Sequence, residues 1–365
     1  MNALDFTVKI DDLHQYELIT KNYPEKLLPD QVMLAIEKFS FTSNNITYGV
    51  VGEQMNYWKF FPTQPGYGII PAWGIAHVIN SNHPEVKVGQ RFYGYYPMST
   101  HLLVTAGKVS NKGFMDITEH RQALPPIYNF YVNIEQDPLF TPRTEGLISI
   151  FRPLFVTSFL INEALADQNF YDATQIMVTS ASSKTAQALA FLLAHRKKEI
   201  GQEFSLVALT SDSNVAFVKN LGWYDQTISY EQISHLTADK KSIIVDFAGN
   251  HNLQFKLQTI LKEDLIYNCL VGLVDWQNLE GENPLPKEGT FFFAPNQVEK
   301  LQKEWGVIKF QQKVGEALLQ FISHAQSTIS IKKYQGVEQL KQLYTDTLNG
   351  KVDPKYGNIV SLNES

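Results

Sequence analysis

From about residue 150 onward, short apolar runs alternate with segments of helical spacing, and this alternation constrains the fold more than any other feature of the chain. QIMVTS (175–180), SLVALT (205–210), SIIVDFAG (242–249), CLVGLVD (269–275) and TFFFAP (290–295) read as five strands. Between them Thr185–Lys198, Asn214–Leu221 and Leu253–Leu261 carry helical spacing. Strands separated by helices of roughly 10–15 residues imply right-handed βαβ units and a parallel sheet buried on both faces. The expectation for 151–327 is therefore a doubly wound, parallel α/β domain. Gln297–Ser327 reads as a long amphipathic helix broken at Gly306, and the tail from Ile329 as strand, helix, turn, strand.

The first third has a different grammar. Val32–Phe39 alternates, GIIPAWGIAHVINS (68–81) sets β-branched residues between glycines and a proline, and VKVGQRFYGYYPMSTHLLV (86–104) reads as strand-turn-strand about Gly89-Gln90. A small barrel-like β domain is expected over 1–150, completed by 328–365. Residues 106–145, with Pro125, Pro126, Pro138 and Pro142, read as irregular: a binding loop, lid or linker.

Charge and cysteine content narrow the function classes. A formal net charge of −6 over 365 residues offers no footprint for a polyanion, so nucleic acid is set aside and a small molecule is the expected partner. The single cysteine, Cys269, makes neither an internal disulfide nor a thiolate zinc site and reads as a small buried hydrophobe. A reducing, cytoplasmic setting fits, as does a first stretch, MNALDFTVKIDDLHQY, with acids and no basic-then-apolar leader. Leu154–Ala166, the most apolar stretch, includes Asn162 and Glu163 and falls short of the ~20 residues that span a bilayer, so it reads as a buried helix rather than a membrane segment.

In a doubly wound sheet the first strand-to-helix turn carries the phosphate site. Here that turn is Ser180-Ala181-Ser182-Ser183-Lys184-Thr185-Ala186, without any glycine. Its small side chains permit close approach, the helix start offers N–H groups to a pyrophosphate, and hydroxyls with Lys184 add charge-assisted contacts. The bland alternative is an N-cap followed by a solvated lysine. At the tip of the second strand, Thr210 stands where an NAD site places an acid, and Ser211, Ser213 and Asn214 follow, which favours NADP over NAD. Asp212, and the lack of any Arg or Lys before Lys219, pull the other way.

The order of these elements resembles the medium-chain dehydrogenase/reductase superfamily, in particular its zinc-independent quinone-oxidoreductase and enoyl-reductase branches. The resemblance rests on IMVTSASSKTAQALAFLLA for the strand, loop and helix, VALTSDSNVAFVKNLGWYDQTISY for the second strand and the L-G-A-D-x-x-I-x-Y signature, VDFAG for V-D-x-x-G, KYGNIVSL for the closing strand, and PGYGIIPAWGIAHVINSNHPEVKVGQRFYGY upstream. It implies a GroES-like β-barrel catalytic domain beside the Rossmann-type domain. Ser183, Lys184 and Ala186 depart from the family's glycine-rich loop, and Asn214 falls where quinone reductases often carry lysine.

The resemblance also implies roles. Tyr230 matches a tyrosine near the 2′-phosphate, Thr157 joins the cofactor set, and Phe247, Ala248, Val271, Gly272 and Leu273 either line the nicotinamide-ribose side or are ordinary strand-end packing. The proton donor comes from the segment equivalent to N-x-x-D, here Asn44, Thr47 and Tyr48, with Tyr57 second to Tyr48; interface aromatics with satisfied hydroxyls are the competing reading. A phenol suits the task because its ordinary pKa keeps it protonated at pH 7. Tyr57, Trp58, Phe60 and Phe61 either stack on an apolar substrate or form core. Neither zinc site of the zinc-dependent members has its ligands, the nine histidines show no H-x-H or H-E-x-x-H spacing, and no G-x-S-x-G elbow occurs.

The expected activity is NADPH-dependent, zinc-independent reduction of an activated C=C bond, quinone or carbonyl of a small apolar substrate. Two alternatives stay open: a catalytically silent dinucleotide-binding sensor or scaffold, and a carrier-linked enoyl reductase. Family members commonly pair edge strands, and three consecutive phenylalanines in TFFFAP make a hazardous exposed edge, so a homodimer is expected.

Overall fold

The computed structural model describes residues 1–201, 203–272, 285 and 287–363, with the backbone alone at Ile200. The chain forms two units, Met1–Ile150 with Ile329–Ser365, and Phe151–Thr328.

The first unit opens with β1 (Asn2–Lys9), β2 (Tyr16–Asn22), β3 (Gln31–Ser40), helix α1 (Ser43–Val50), β4 (Tyr67–Gly68), β5 (Pro71–Ser81), β6 (Arg91–Pro97), β7 (His101–Ser110), β8 (Gly113–Asp116) and β9 (Phe130–Asn133). Strands pair in the order β3-β5-β6-β9-β8-β7, and β3 pairs again with β7, closing a six-stranded antiparallel barrel. β1 lies between β2 and β4 in a separate small sheet. Aromatic side chains fill the core, among them Phe39, Phe92, Tyr95, Tyr96, Phe114 and Tyr131. Gly94 is required there, because a Cβ would stand 2.3 Å from the Tyr131 ring.

Two expectations are corrected. Val86–Val88 precedes a turn and is not a strand; β6 begins only at Arg91. The stretch 106–145 is not simply loop: it ends β7 and supplies β8 and β9, and Phe114 and Tyr131 alternate into the core despite the flanking prolines.

α2 (Glu145–Asp167) is, among the described residues, the one helix long and apolar enough to cross a membrane, and 67% of its apolar window is buried in the structure. Pro153 lies inside it and has no N–H for the Ser149 carbonyl; that carbonyl accepts the Ser40 hydroxyl at 3.1 Å instead. At its start Glu145 is bound by Lys38 and by Arg91, which also clasps Glu37 at 2.6 Å.

The second unit continues with β10 (Gln175–Val178), α3 (Lys184–Ile200), β11 (Ser205–Thr210), α4 (Val215–Asn220), β12 (Gln226–Ser229), β13 (Ser242–Asp246), α5 (His251–Leu261), β14 (Leu265–Leu270), β15 (Thr290–Phe291), α6 (Ala294–Trp305) and α7 (Val307–Thr328). All six strands are parallel, in the order β12-β11-β10-β13-β14-β15. Numbered within the unit this is 3-2-1-4-5-6, the doubly wound order with its switch point between β10 and β13. β14 starts earlier than 269–275: Leu265 pairs with Ser242, whereas Val271 and Gly272 already turn away, and 273–275 lie outside the described residues. β15 takes only two residues of TFFFAP, since Pro295 opens α6. Gly306, at φ +81°, separates α6 from α7.

The chain then returns to the first unit as β16 (Ser330–Gln335), α8 (Gly336–Leu348) and β17 (Tyr356–Ser361). β17 pairs antiparallel with β3, and β16 lies parallel to β17.

Candidate functional site

The first candidate group lies in the second unit, at the carboxyl ends of its strands. After β10 the chain turns at Ser180, whose φ of +47° places a serine in the left-handed region that glycine usually occupies. Its amide donates to the Tyr230 hydroxyl at 2.8 Å, and the Ser183 amide closes the turn on the Ser180 carbonyl at 2.8 Å. Ser183 is the N-cap of α3, its hydroxyl accepting the Ala186 amide at 3.3 Å. The N-cap half of the bland alternative is therefore right. The solvated-lysine half is corrected: Lys184 is only 8% exposed. Ala186 is fully buried in the core beneath β10 and β13, so a methyl is tolerated where the family packs glycine.

Ser182 faces the tip of β11. Its hydroxyl accepts the Asn214 side-chain amide at 3.1 Å and the Thr210 hydroxyl at 3.5 Å. Thr210 is buried, so it braces Ser182 from below, whereas the Ser211 and Ser213 hydroxyls meet at 3.2 Å in an exposed position. Thr185 is half-buried, and Ala181 is fully buried behind the loop. Burial pushes the Tyr230 phenol up to about 12; accepting the Ser180 amide, it keeps its own proton to donate.

The ends of β10, β13 and β14 are tied by a pair that sequence reasoning did not single out. The Thr179 hydroxyl donates to Asp246 and accepts the amides of Phe247 at 2.9 Å and Ala248 at 3.1 Å. Asp246 also accepts the Ala248 amide at 3.0 Å, and burial raises its carboxyl above the ordinary range. Val271 and Gly272 donate their amides to the Asp246 carbonyl at 2.9 and 2.8 Å. A Cβ on Gly272 would stand 2.3 Å from the Phe247 carbonyl oxygen, so only glycine allows this approach. The aspartate of VDFAG was the available signal.

Two members of the cofactor set have side chains engaged in other contacts. Phe247 is packed into the core with Val178, Val245 and Cys269, so its side chain is packing rather than lining. The half-buried Thr157 hydroxyl bonds the Pro153 carbonyl within α2. Leu273 lies outside the described residues. Burial pushes the Cys269 thiol up to about 12. Among the described residues no three His, Cys, Asp or Glu side chains are grouped to hold a metal.

The second candidate group is in the first unit. The Thr42 amide donates to Asn45 at 2.8 Å and fixes the start of α1, which presents Asn44 and Tyr48 one turn apart. Tyr48 is buried, its ring 4.6 Å from Tyr57 and edge-on to Tyr95 at 5.8 Å. The hydroxyls of Tyr57 and Tyr128 meet at 3.3 Å. Burial raises all four phenols, so each is protonated at neutral pH. Thr47 turns back on its own helix, bonding the Ser43 carbonyl at 3.4 Å. Trp58, Phe60 and Phe61 are core, and the latter two flank the buried Arg121 guanidinium at 5.1 Å each. Arg121 itself bonds Asn129 at 2.9 Å and the Tyr128 carbonyl at 2.8 Å, an ordering of 119–129 that its proline-rich sequence did not reveal.

With this geometry in hand, comparison with known proteins is informative. Residues 39–353 match the family described as "Protein of unknown function (DUF2855)". The chain belongs to that family. No curated protein matches it in sequence. Among solved structures, the fold of this family member is similar to CurA from Vibrio vulnificus in complex with NADPH (TM-score 0.58, 13% identity, covering 96% of this chain and 95% of that one). It is similar also to the quinone oxidoreductase from Coxiella burnetii (0.55, 11%, 100% of each chain) and to the human synaptic vesicle membrane protein VAT-1 homolog-like protein (0.55, 14%, 100% of each). The family member thus has the medium-chain dehydrogenase/reductase fold, a GroES-like barrel with a Rossmann-type domain, as the resemblance of its motifs implied.

Proposed function

We propose that this chain binds NADP(H) on the Ser180–Thr185 turn and, without zinc, reduces an activated C=C bond, quinone or carbonyl of a small apolar substrate. The observation that carries the reading is the turn at the centre of the 3-2-1-4-5-6 sheet, which takes a glycine-like shape without glycine and opens α3. The residues fit such a group. The helix start favours a pyrophosphate through its first-turn amides, with Ser182, Lys184 and Thr185 beside them. Ser182, Ser211, Ser213, Asn214 and the Tyr230 hydroxyl surround the tip of β11 with polar groups, and Thr210 rather than an acid ends the strand, which suits a 2′-phosphate, although the exposed Asp212 follows two residues on. The amides anchored by Thr179 and Asp246 hold Ala248, Val271 and Gly272 along the nicotinamide side. Two solved neighbours, CurA and the Salmonella enterica oxidoreductase YhdH, hold NADPH and NADP and support the same reading.

The bound nicotinamide supplies a hydride. The chain's own task is the proton: Tyr48, kept protonated by burial, gives it to the reduced substrate, while Asn44 and Tyr57 orient that phenol. The cytoplasm is the setting that a single, buried cysteine favours. β15 is the last strand of its sheet among the described residues, with Phe291 and Phe293 exposed, which favours a homodimer; a monomeric mass by light scattering would refute it.

Thermal unfolding with NADPH, NADH and no ligand tests the cofactor. At 100 times its Kd a ligand stabilises by about 2.7 kcal/mol. A shift with NADPH and oxidation of NADPH by enones or quinones is the expected pair of results. A shift without turnover favours a silent dinucleotide binder, the reading that the glycine-free loop supports; no shift with either nucleotide refutes both.

A further inference from the structure

Trp73 and Tyr95 stand directly opposite each other in the antiparallel β5–β6 pair, their rings 5.0 Å apart. Both end in a donor. The Trp73 Nε1–H and the Tyr95 hydroxyl are buried and make no hydrogen bond of normal geometry among the described residues. An unpaired buried donor is costly, so such a pair side by side calls for an acceptor. Tyr48 is their neighbour, its ring edge-on to Tyr95 at 5.8 Å, and its hydroxyl is close to Trp73, Tyr95 and Asn44.

We propose that Trp73 and Tyr95 are positioning residues that stabilise the phenolate formed on Tyr48 when it gives up its proton. The inference rests on the proton-donor reading of Tyr48. In that step the Tyr48 O–H bond breaks and its electron pair stays on the phenolic oxygen. The proton forms a new C–H or O–H bond on the substrate reduced by hydride, and Tyr48 regains a proton from water. Neutral Tyr48 asks little of its neighbours, but its anion accepts charge-assisted bonds from the Trp73 and Tyr95 donors, which have no other acceptor among the described residues. The other titratable groups around it are Tyr57 and Tyr128, whose hydroxyls are engaged with each other, and Arg121, which acts on Tyr95.

The test places a fluorinated tyrosine of lowered pKa at position 48 of the full chain and follows its ionisation by 19F NMR, without cofactor or substrate. Tyr95→Phe and Trp73→Phe are each expected to raise the midpoint by about one pH unit, the scale of one hydrogen bond to a charged group. The Trp73 indole 15N–H resonance is expected to move downfield as position 48 ionises. This second reading uses the otherwise unaltered chain, so it stands if Trp73→Phe does not fold. Midpoints unmoved or lowered in the variants, or an indole resonance indifferent to the ionisation, overturn the inference. Full turnover by Tyr48→Phe overturns instead the proton-donor reading, whatever the midpoints do.

Discussion

The amide of Ser180, in left-handed backbone, donates to the hydroxyl of Tyr230 across 2.8 Å, joining the turn after β10 to the residue that follows β12. One phenol therefore shapes the turn after β10 and, on the proposed reading, also faces the 2′-phosphate. Removing it affects two properties at once. Tyr230→Phe is expected to lower stability by about 1 kcal/mol in urea unfolding and to weaken NADPH more than NADH in calorimetric titration. Equal loss for both nucleotides would leave Tyr230 only its structural part.

Tyr48→Phe keeps the ring and removes the proton. Steady-state assays should show kcat down by about 10²–10³ with little change in KM, the pattern of lost general-acid chemistry. An unchanged kcat would pass the donor role to Tyr57, its neighbour at 4.6 Å.

Glu145 caps the Arg91–Glu37 cluster of the first unit. Burial pushes its carboxyl up, yet hydrogen bonds from Arg91 and Lys38 outweigh this and hold it below the ordinary value. A folded pKa below the unfolded one stabilises above 4.5, the ordinary value, and is lost as pH falls through the folded pKa. Glu145→Gln should therefore cost about 1–2 kcal/mol at neutral pH, with wild type and variant converging in acid when Tm is followed against pH.

Asp246 has the opposite sign. Burial raises its carboxyl against the bonds from Thr179 and Ala248, so its contribution is full below the unfolded pKa and declines as pH rises through the folded one. Relative to Asp246→Asn, wild type should gain in Tm as pH is lowered from above the folded pKa toward the ordinary carboxylate range. A constant difference between the two would mean that Asp246 does not carry this linkage.

Legibility in the sequence followed periodicity. The parallel sheet was readable because buried strands such as Ile176–Val178 and Ile243–Val245 are continuous apolar runs, and the break between α6 and α7 because Gly306 interrupts an amphipathic repeat. The barrel strands β8 and β9 were not, since four residues each between prolines leave too short a pattern; their register is set by Gly113 and Gly94 fitting around Tyr131. The loop residues Ser180–Lys184 were found by position, but the roles of Thr179 and Asp246 depend on strands 67 residues apart in sequence and brought side by side by β10–β13 pairing. The tyrosine cluster was half visible: Tyr48 and Tyr57 are local, whereas Tyr95 and Tyr128 arrive from distant segments.

β17 pairs with Phe39 and Ser40 of β3, and Leu340, Leu343, Tyr344 and Val360 belong to the same core as Phe6 and Val8. The second unit is thus spliced into the first. A ribosome delivers all of Phe151–Thr328 before the last pieces of that core, so the Rossmann-type fold is complete and free to form while the first unit still waits for its last helix and strand.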